Sequence, residues 1–240
     1  MTDIKAALTL QTWMSAAFPT GAFTCSHGLE AAIADGRLYD AYSCEEWIGG
    51  LLQHGSGWND ALFIVAAFSA VKLHLAHVSS STDLNTDATS TLGVSLNTIN
   101  DLVLALCAGA ERHRETTQLG LAFARAAVPT CTAPVISLIE RDITLPVAVG
   151  AQGALCGIPI EVLLPASLQA TSSNLVWICT RLVPLGQTQA LQLISNLQPL
   201  IISTAQRARQ SSLNDLGSCT LLADLASIEH EQLPSRICIT

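Results

Sequence analysis

The sequence predicts an all-α protein: a single-domain bundle of about eight to ten helices across residues 1–240, closing in a C-terminal tail over 211–240. Three observations predict it. Apolar residues recur at spacings of three and four along nearly the whole chain, and no long alternating strand pattern interrupts them. Cap residues, Gly and Pro divide that periodicity into helix-sized lengths. The one polar stretch that could separate two domains lies between helices that read as parts of one bundle, and no internal repeat is visible.

Ile4 to Phe18 forms the first helix, capped by Thr2 or Asp3 and stopped at Pro19-Thr20-Gly21. A second runs from about Ser26 to Ala34 and ends at Gly36, a residue free to take the left-handed stop conformation. Ser43-Cys44-Glu45-Glu46 has the form of a capping box ahead of Trp47, Ile48, Leu51 and Leu52. Gly55-Ser56-Gly57 breaks the chain, and Asn59 or Asp60 caps a helix to about His77. Ser79 to Thr91 is nearly all Ser, Thr, Asp and Asn. Burial there cannot offset ordering entropy, so 79–98 is expected to be a flexible surface loop. A long helix follows from about Asp101 to Ala127, ended by Pro129 and Pro134. Pro146 and Pro159 suit first helical turns and open helices reaching about Cys156 and about Arg181, with Gly157 as a stop between them. Pro165 is expected to kink or split the second of these. Gly186 to Arg209 is the last long helix, kinked at Pro199, and periodicity weakens from Ser211.

Hydrophobic residues make up 50% of the chain and charged residues 12%. Soluble domains average about 25% charged residues, so the surface here is thinly charged and apolar area should remain for partners. Net charge is -8. An acidic chain repels phosphate backbones, which argues against nucleic acid as a partner. Neither lysine, Lys5 or Lys72, follows a glycine-rich run, so there is no P-loop, and no dinucleotide fingerprint occurs. Eight cysteines are scattered with no C-x-x-C pair, which reads as reduced, buried thiols in a cytoplasmic chain. The opening Met-Thr-Asp-Ile-Lys lacks the n- and h-regions of a signal peptide. Ile143 to Gln206 holds only Glu161 and Arg181 as charges, yet Pro, Ser, Asn and Gln interrupt each apolar run, so a membrane-associated protein is the rival reading rather than the expected one.

Few side-chain groupings suggest chemistry. His74 and His77 share a helix face but lack a third ligand, so no metal site is assigned. Cys25-Ser26-His27 could pair a thiol with a base, but Ser26 as a cap and a locally bonded His27 is the simpler reading. Glu111-Arg112-His113-Arg114-Glu115 is the densest charge cluster, either a solvated face or a recognition patch. Glu161 and Arg181 each need a partner if buried. No G-x-S-x-G elbow occurs, and the chain reads as a non-enzyme with no cofactor of its own.

Four stretches in order resemble the urease accessory protein UreF family. They are Phe18-Pro19-Thr20-Gly21-Ala22-Phe23-Thr24-Cys25-Ser26-His27-Gly28-Leu29-Glu30; Glu111 to Gly120; Arg181-Leu182-Val183-Pro184-Leu185-Gly186-Gln187-Thr188; and Asp224-Leu225-Ala226-Ser227-Ile228-Glu229-His230-Glu231. The chain departs from the family pattern at Thr20, Ala22, Cys25, Pro234 and Cys238, the last two standing where Tyr and Phe are usual. The resemblance implies a helical homodimer that assembles with UreD (also called UreH), the GTPase UreG and apo-urease in the cytoplasm, with GTP bound by UreG and nickel in transit. It implies a UreG face or nickel path at Ser26, His27, Gly28, Glu30, Glu111, Arg112, Glu115, Arg181 and Gln187, and a UreD-binding tail at Asp224, Ser227, His230, Glu231 and Arg236. A nickel-storage role is the alternative.

Overall fold

The computed structural model describes residues 4–80, 86–130, 135–139 and 142–240, with 80 and 86–90 as backbone only. Its helices are α1 (Ile4–Trp13), α2 (Leu29–Ala34), α3 (Ala41–His54), α4 (Ser56–Ser80), α5 (Thr86–Ala105), α6 (Ala110–Ala127), α7 (Leu145–Leu155), α8 (Ile160–Leu182), α9 (Gln187–Arg209) and α10 (Leu221–His230). Among the described residues there is no strand, and the all-α expectation holds.

The bundle is organised around α4. This helix is apolar around most of its circumference, and Ala61, Leu62, Phe63, Ile64, Ala67 and Val71 are all buried, as a helix enclosed by others requires. It packs most extensively on α7, and also on α3, α5, α8 and α9. Small residues set the closest approaches. A Cβ on Gly150 of α7 would stand 2.3 Å from the Ile64 carbonyl oxygen. One on Gly120 of α6 would stand 2.1 Å from that of Ile143. α8 and α9 form an antiparallel pair against α3. The α3–α4 segment and α8 are long and apolar enough to cross a membrane by length and composition, and both are packed within the bundle.

Several boundaries differ from the sequence reading, each for a local reason. α1 stops at Trp13, not Phe18, and α2 starts at Leu29, after a turn in which His27 and Gly28 both have positive φ. α3 is capped by Asp40 rather than Ser43: the Ser43 amide donates to Asp40 Oδ1 at 2.8 Å, and the Asp40 amide to Ser43 Oγ at 3.1 Å. α4 starts at Ser56, leaving Asn59 and Asp60 inside its first turns.

The polar stretch expected to be a loop is largely helical. α4 runs to Ser80 and α5 covers Thr86 onward; residues 81–85 lie outside the described residues. Leu92, Leu96, Ile99 and Val103 form a buried stripe on α5 that overrides its polar composition. The hydroxyls of Ser95 and Thr98 turn back to carbonyls four residues earlier. The single helix expected from Asp101 to Ala127 is two, broken at Cys107–Gly109. Gly109 is extended, and Glu231 of the tail accepts from the Glu111 amide in the first turn of α6 at 3.2 Å. Pro129 follows α6 as expected; Pro134 lies outside the described residues. α8 and α9 run through Pro165 and Pro199 without splitting.

The tail is ordered. Ser212 and Asp215 cap a 3-10 turn at Leu213–Asp215. Trp58 Nε1 donates to the Asp215 carbonyl at 2.9 Å, and the Gly217 amide to Asn59 Oδ1 at 3.0 Å. α10 then lies against α2 and α6.

Candidate functional site: a buried ionic clasp

The turn before α2 exists because Gly21, His27 and Gly28 take left-handed backbone conformations. At Gly28 the absence of a side chain also permits contact: a Cβ there would lie 2.5 Å from the Ser227 amide nitrogen of α10. Ser26, wholly buried, accepts weakly from the Glu30 amide at 3.4 Å, so it ties down the start of α2 without being its N-cap. This brings Glu30 to face the start of α6 and the tail.

Three carboxylates are buried there. Glu30 accepts from the amides of Ile237 and Cys238, both at 2.7 Å, and faces His230 Nε2 at 3.3 Å. Glu111 faces His230 Nδ1 at 2.7 Å and accepts from Arg236 at 2.6 Å, with Arg114 at 3.5 Å. His230, fully buried, therefore has a carboxylate on each ring nitrogen, and both contacts become hydrogen bonds only when both nitrogens carry a proton. Glu115 accepts from Arg112 at 2.6 Å and from the Thr240 hydroxyl at 2.6 Å, and meets His27 Nε2 at 2.6 Å.

Burial opposes ionisation of Glu30 and Glu115, but other influences outweigh it. For Glu30 these are the two tail amides and His230; for Glu115, the Arg112 guanidinium, His27 and the Thr240 hydroxyl. Both carboxyls are held below the usual range. Beside this network lies a cavity of about 70 Å³, lined by His27, Asp60, Cys107, Arg112 and Asp224 among others. Burial pushes the Asp60 and Asp224 carboxyls up, with Arg112 opposing both shifts.

Most of the residues predicted from sequence come together here. Ser26, His27, Gly28, Glu30, Glu111, Arg112 and Glu115 form one cluster with Ser227, His230, Glu231 and Arg236, although the sequence reading assigned the two groups to different partners. Asp224 lines the cavity beside them. Arg181, exposed, joins the rim by donating to the Phe23 carbonyl at 2.7 Å. Gln187 stands apart, exposed at the start of α9. Glu161, also exposed, pairs with Arg209 away from the clasp. Sequence reasoning missed Asp60, Asn59 and Thr240. The first two are polar residues in an apolar helix and were visible as such; nothing in the sequence marks Thr240.

The arrangement holds a tail rather than activating a nucleophile. Burial pushes the Cys25 thiol up to about 11, the reverse of what a reactive thiolate needs. Among the described residues no three or more His, Cys, Asp or Glu side chains are grouped to hold a metal ion.

A helical bundle whose scarce charges fasten its own tail does not by itself name a function. The comparisons with known proteins are more specific. Residues 38–198 match the UreF family. The chain is 38% identical over 232 residues to urease accessory protein UreF of Rhodopseudomonas palustris strain HaA2, covering 95% of this chain and 91% of that one. It is 39% identical over 233 residues to that of Ruegeria pomeroyi, covering 97% and 96%, and 38% identical over 233 residues to that of Cereibacter sphaeroides, covering 97% and 98%. The chain belongs to the UreF family of urease accessory proteins.

Proposed function

We propose that this chain is the scaffold that joins the GTPase UreG to UreD on apo-urease and gates GTP-dependent nickel transfer. It does so as a cytoplasmic homodimer with no cofactor of its own. Nickel passes in transit, and GTP is bound by UreG. The observation that carries the reading is the shared clasp. The stretch assigned to UreG (Ser26 to Glu30 and Glu111 to Glu115) and the tail assigned to UreD have Glu30, Glu111 and His230 in common. A partner that grips the tail therefore acts directly on the other face.

The outward side of α10 supports a docking role for the tail. Leu221, Leu222, Leu225 and Ile228 are all exposed there, four large apolar side chains on one short helix. Exposed Arg181 offers a polar contact on the rim of the clasp, and exposed Gln187 a further one away from it.

The test is co-expression with UreD, UreG and apo-urease followed by sizing of the complex. Leu222→Asp combined with Leu225→Asp is expected to abolish co-elution of UreD while leaving the helical content of the chain intact. Arg181→Glu is expected to lower UreG capture about tenfold while UreD remains bound. Full complexes with both variants would reject the assignment.

A further inference from the structure

Residues 238–240 of the tail lie beside residues 24–26 of the N-terminal turn. The Ile239 amide donates to the Thr24 carbonyl at 2.7 Å, and the Ser26 amide to the Thr240 carbonyl at 2.5 Å. Each short run carries one cysteine, Cys25 and Cys238, and these are 6% and 4% exposed. Arg181 ties the two runs from a third element, reaching the Phe23 carbonyl at 2.7 Å and the Cys238 sulfur at 4.0 Å. Cys238 also lies within the electrostatic reach of Cys25.

We propose that Cys25 and Cys238 are a dithiol–disulfide couple that covalently closes the tail over the N-terminal turn, with a low-molecular-weight disulfide as oxidant. The closed clasp protects both thiols. They are buried, and burial pushes each up to about 11, so neither attacks a disulfide in that state. Release of the tail exposes them. One thiol then loses its proton, and its sulfur attacks the small disulfide. A mixed disulfide forms and one small thiol leaves. While the tail is still open, the second cysteine also loses its proton, and its sulfur attacks the protein-side sulfur of that mixed disulfide and expels the second small thiol; the tail then closes with the bond in place. Two protein thiols are oxidised, one small disulfide is reduced to two thiols, and the two protons go with them. Oxidation therefore records that the tail has opened, and the bond formed then holds it shut. Cys44 and Cys179 provide an internal contrast. Both are fully buried in α3 and α8, within the bundle core, and tail release does not uncover them.

The test treats the full chain with oxidised glutathione, blocks remaining thiols with iodoacetamide and digests without reduction. The expected product is a peptide pair linked through Cys25 and Cys238, two hydrogens lighter than the reduced peptides and separated by dithiothreitol, with Cys44 and Cys179 alkylated only after unfolding. Tryptic cleavage after Arg236 should be at least about tenfold slower in the oxidised chain, since cleavage follows the open population. Cys25→Ser and Cys238→Ser should each leave the other cysteine as a glutathione adduct. A wild-type chain with a separate adduct or alkyl group on each of the two cysteines, or with either bonded to Cys219, overturns the proposal, and that result does not depend on any variant folding.

Discussion

The contact of α4 with α7 and the clasp around Glu30 are both buried, but they are held together by different physics. Between α4 and α7 the helices meet at backbone distance because Gly150 has no side chain, and apolar groups fill the remaining space. Such packing is close to crystalline density, indifferent to pH and intolerant of added atoms. In the clasp, carboxylates, guanidiniums and imidazoles replace water for one another. A network of that kind is weak evidence of stability, because desolvation offsets most of the attraction, but it is costly to break one partner at a time. The comparison separates a region held by packing from one held by charge, and only the second should answer to pH.

The largest expected effect comes from removing the shared imidazole. His230→Ala leaves Glu30 and Glu111 facing each other across a buried void, at a cost of about 4 kcal/mol borne by the clasp. Hydrogen exchange should show the Ile237 and Cys238 amides losing protection while those of α4 and α7 keep theirs. Global unfolding in one step with the tail would erase the distinction between the two regions. Gly150→Ala probes the other side. Its Cβ would press on the Ile64 carbonyl, so α4 and α7 must separate, at a cost of about 3 kcal/mol to the whole fold. Denaturant unfolding should show a lower midpoint in a single transition, and an unchanged midpoint would refute the packing account.

Acid should separate the regions without any substitution. Glu30 and Glu115 have folded pKa values below their unfolded value of about 4.3. The stability each contributes is complete above that unfolded value and is lost as pH falls through the lower folded one. Protection at Ile237 and Cys238 should therefore hold at neutral pH, begin to weaken below about pH 4 and fall further as the pH drops, with the helical signal of the bundle persisting to lower pH. Loss of both together would mean that the clasp and the bundle are one cooperative unit.

The same contrast explains what could be read from the sequence. Helices such as α3, α7 and α9 announce themselves through local signals: a periodic apolar face, a proline in a first turn, a glycine at an end. α5 was hidden because the composition of 79–91 outweighed the stripe of Leu92, Leu96, Ile99 and Val103, which only tertiary burial makes decisive. The break before α6 was hidden because its cap, Glu231, lies 120 residues further on. The clasp was half legible. Its residues stood out as charges in a charge-poor chain, but pairing Glu30 with His230 spans 200 residues, and no local rule joins them. Family resemblance placed the two motifs on different partners; the fold places them on each other.

Arg181 is where the two regimes meet, and it gives the smallest and most discriminating test. Its backbone belongs to the last turn of α8, part of the bundle. Its guanidinium belongs to the clasp, bonded to the Phe23 carbonyl and close to the Cys238 sulfur. The side chain is exposed, so Arg181→Ala forfeits one hydrogen bond worth about 1 kcal/mol and leaves no buried charge behind. If the bundle and the clasp are energetically separate, the midpoint of global unfolding stays put, and exchange at the Ser26 and Ile239 amides rises about fivefold, the factor that such a loss produces in a local opening equilibrium. Arg181→Lys keeps the charge without the guanidinium's fork of donors and should recover only part of that protection. A fall in the global midpoint with no change at Ser26 and Ile239 would place Arg181 wholly in the bundle and move the boundary between the two regions to the tail side of Phe23.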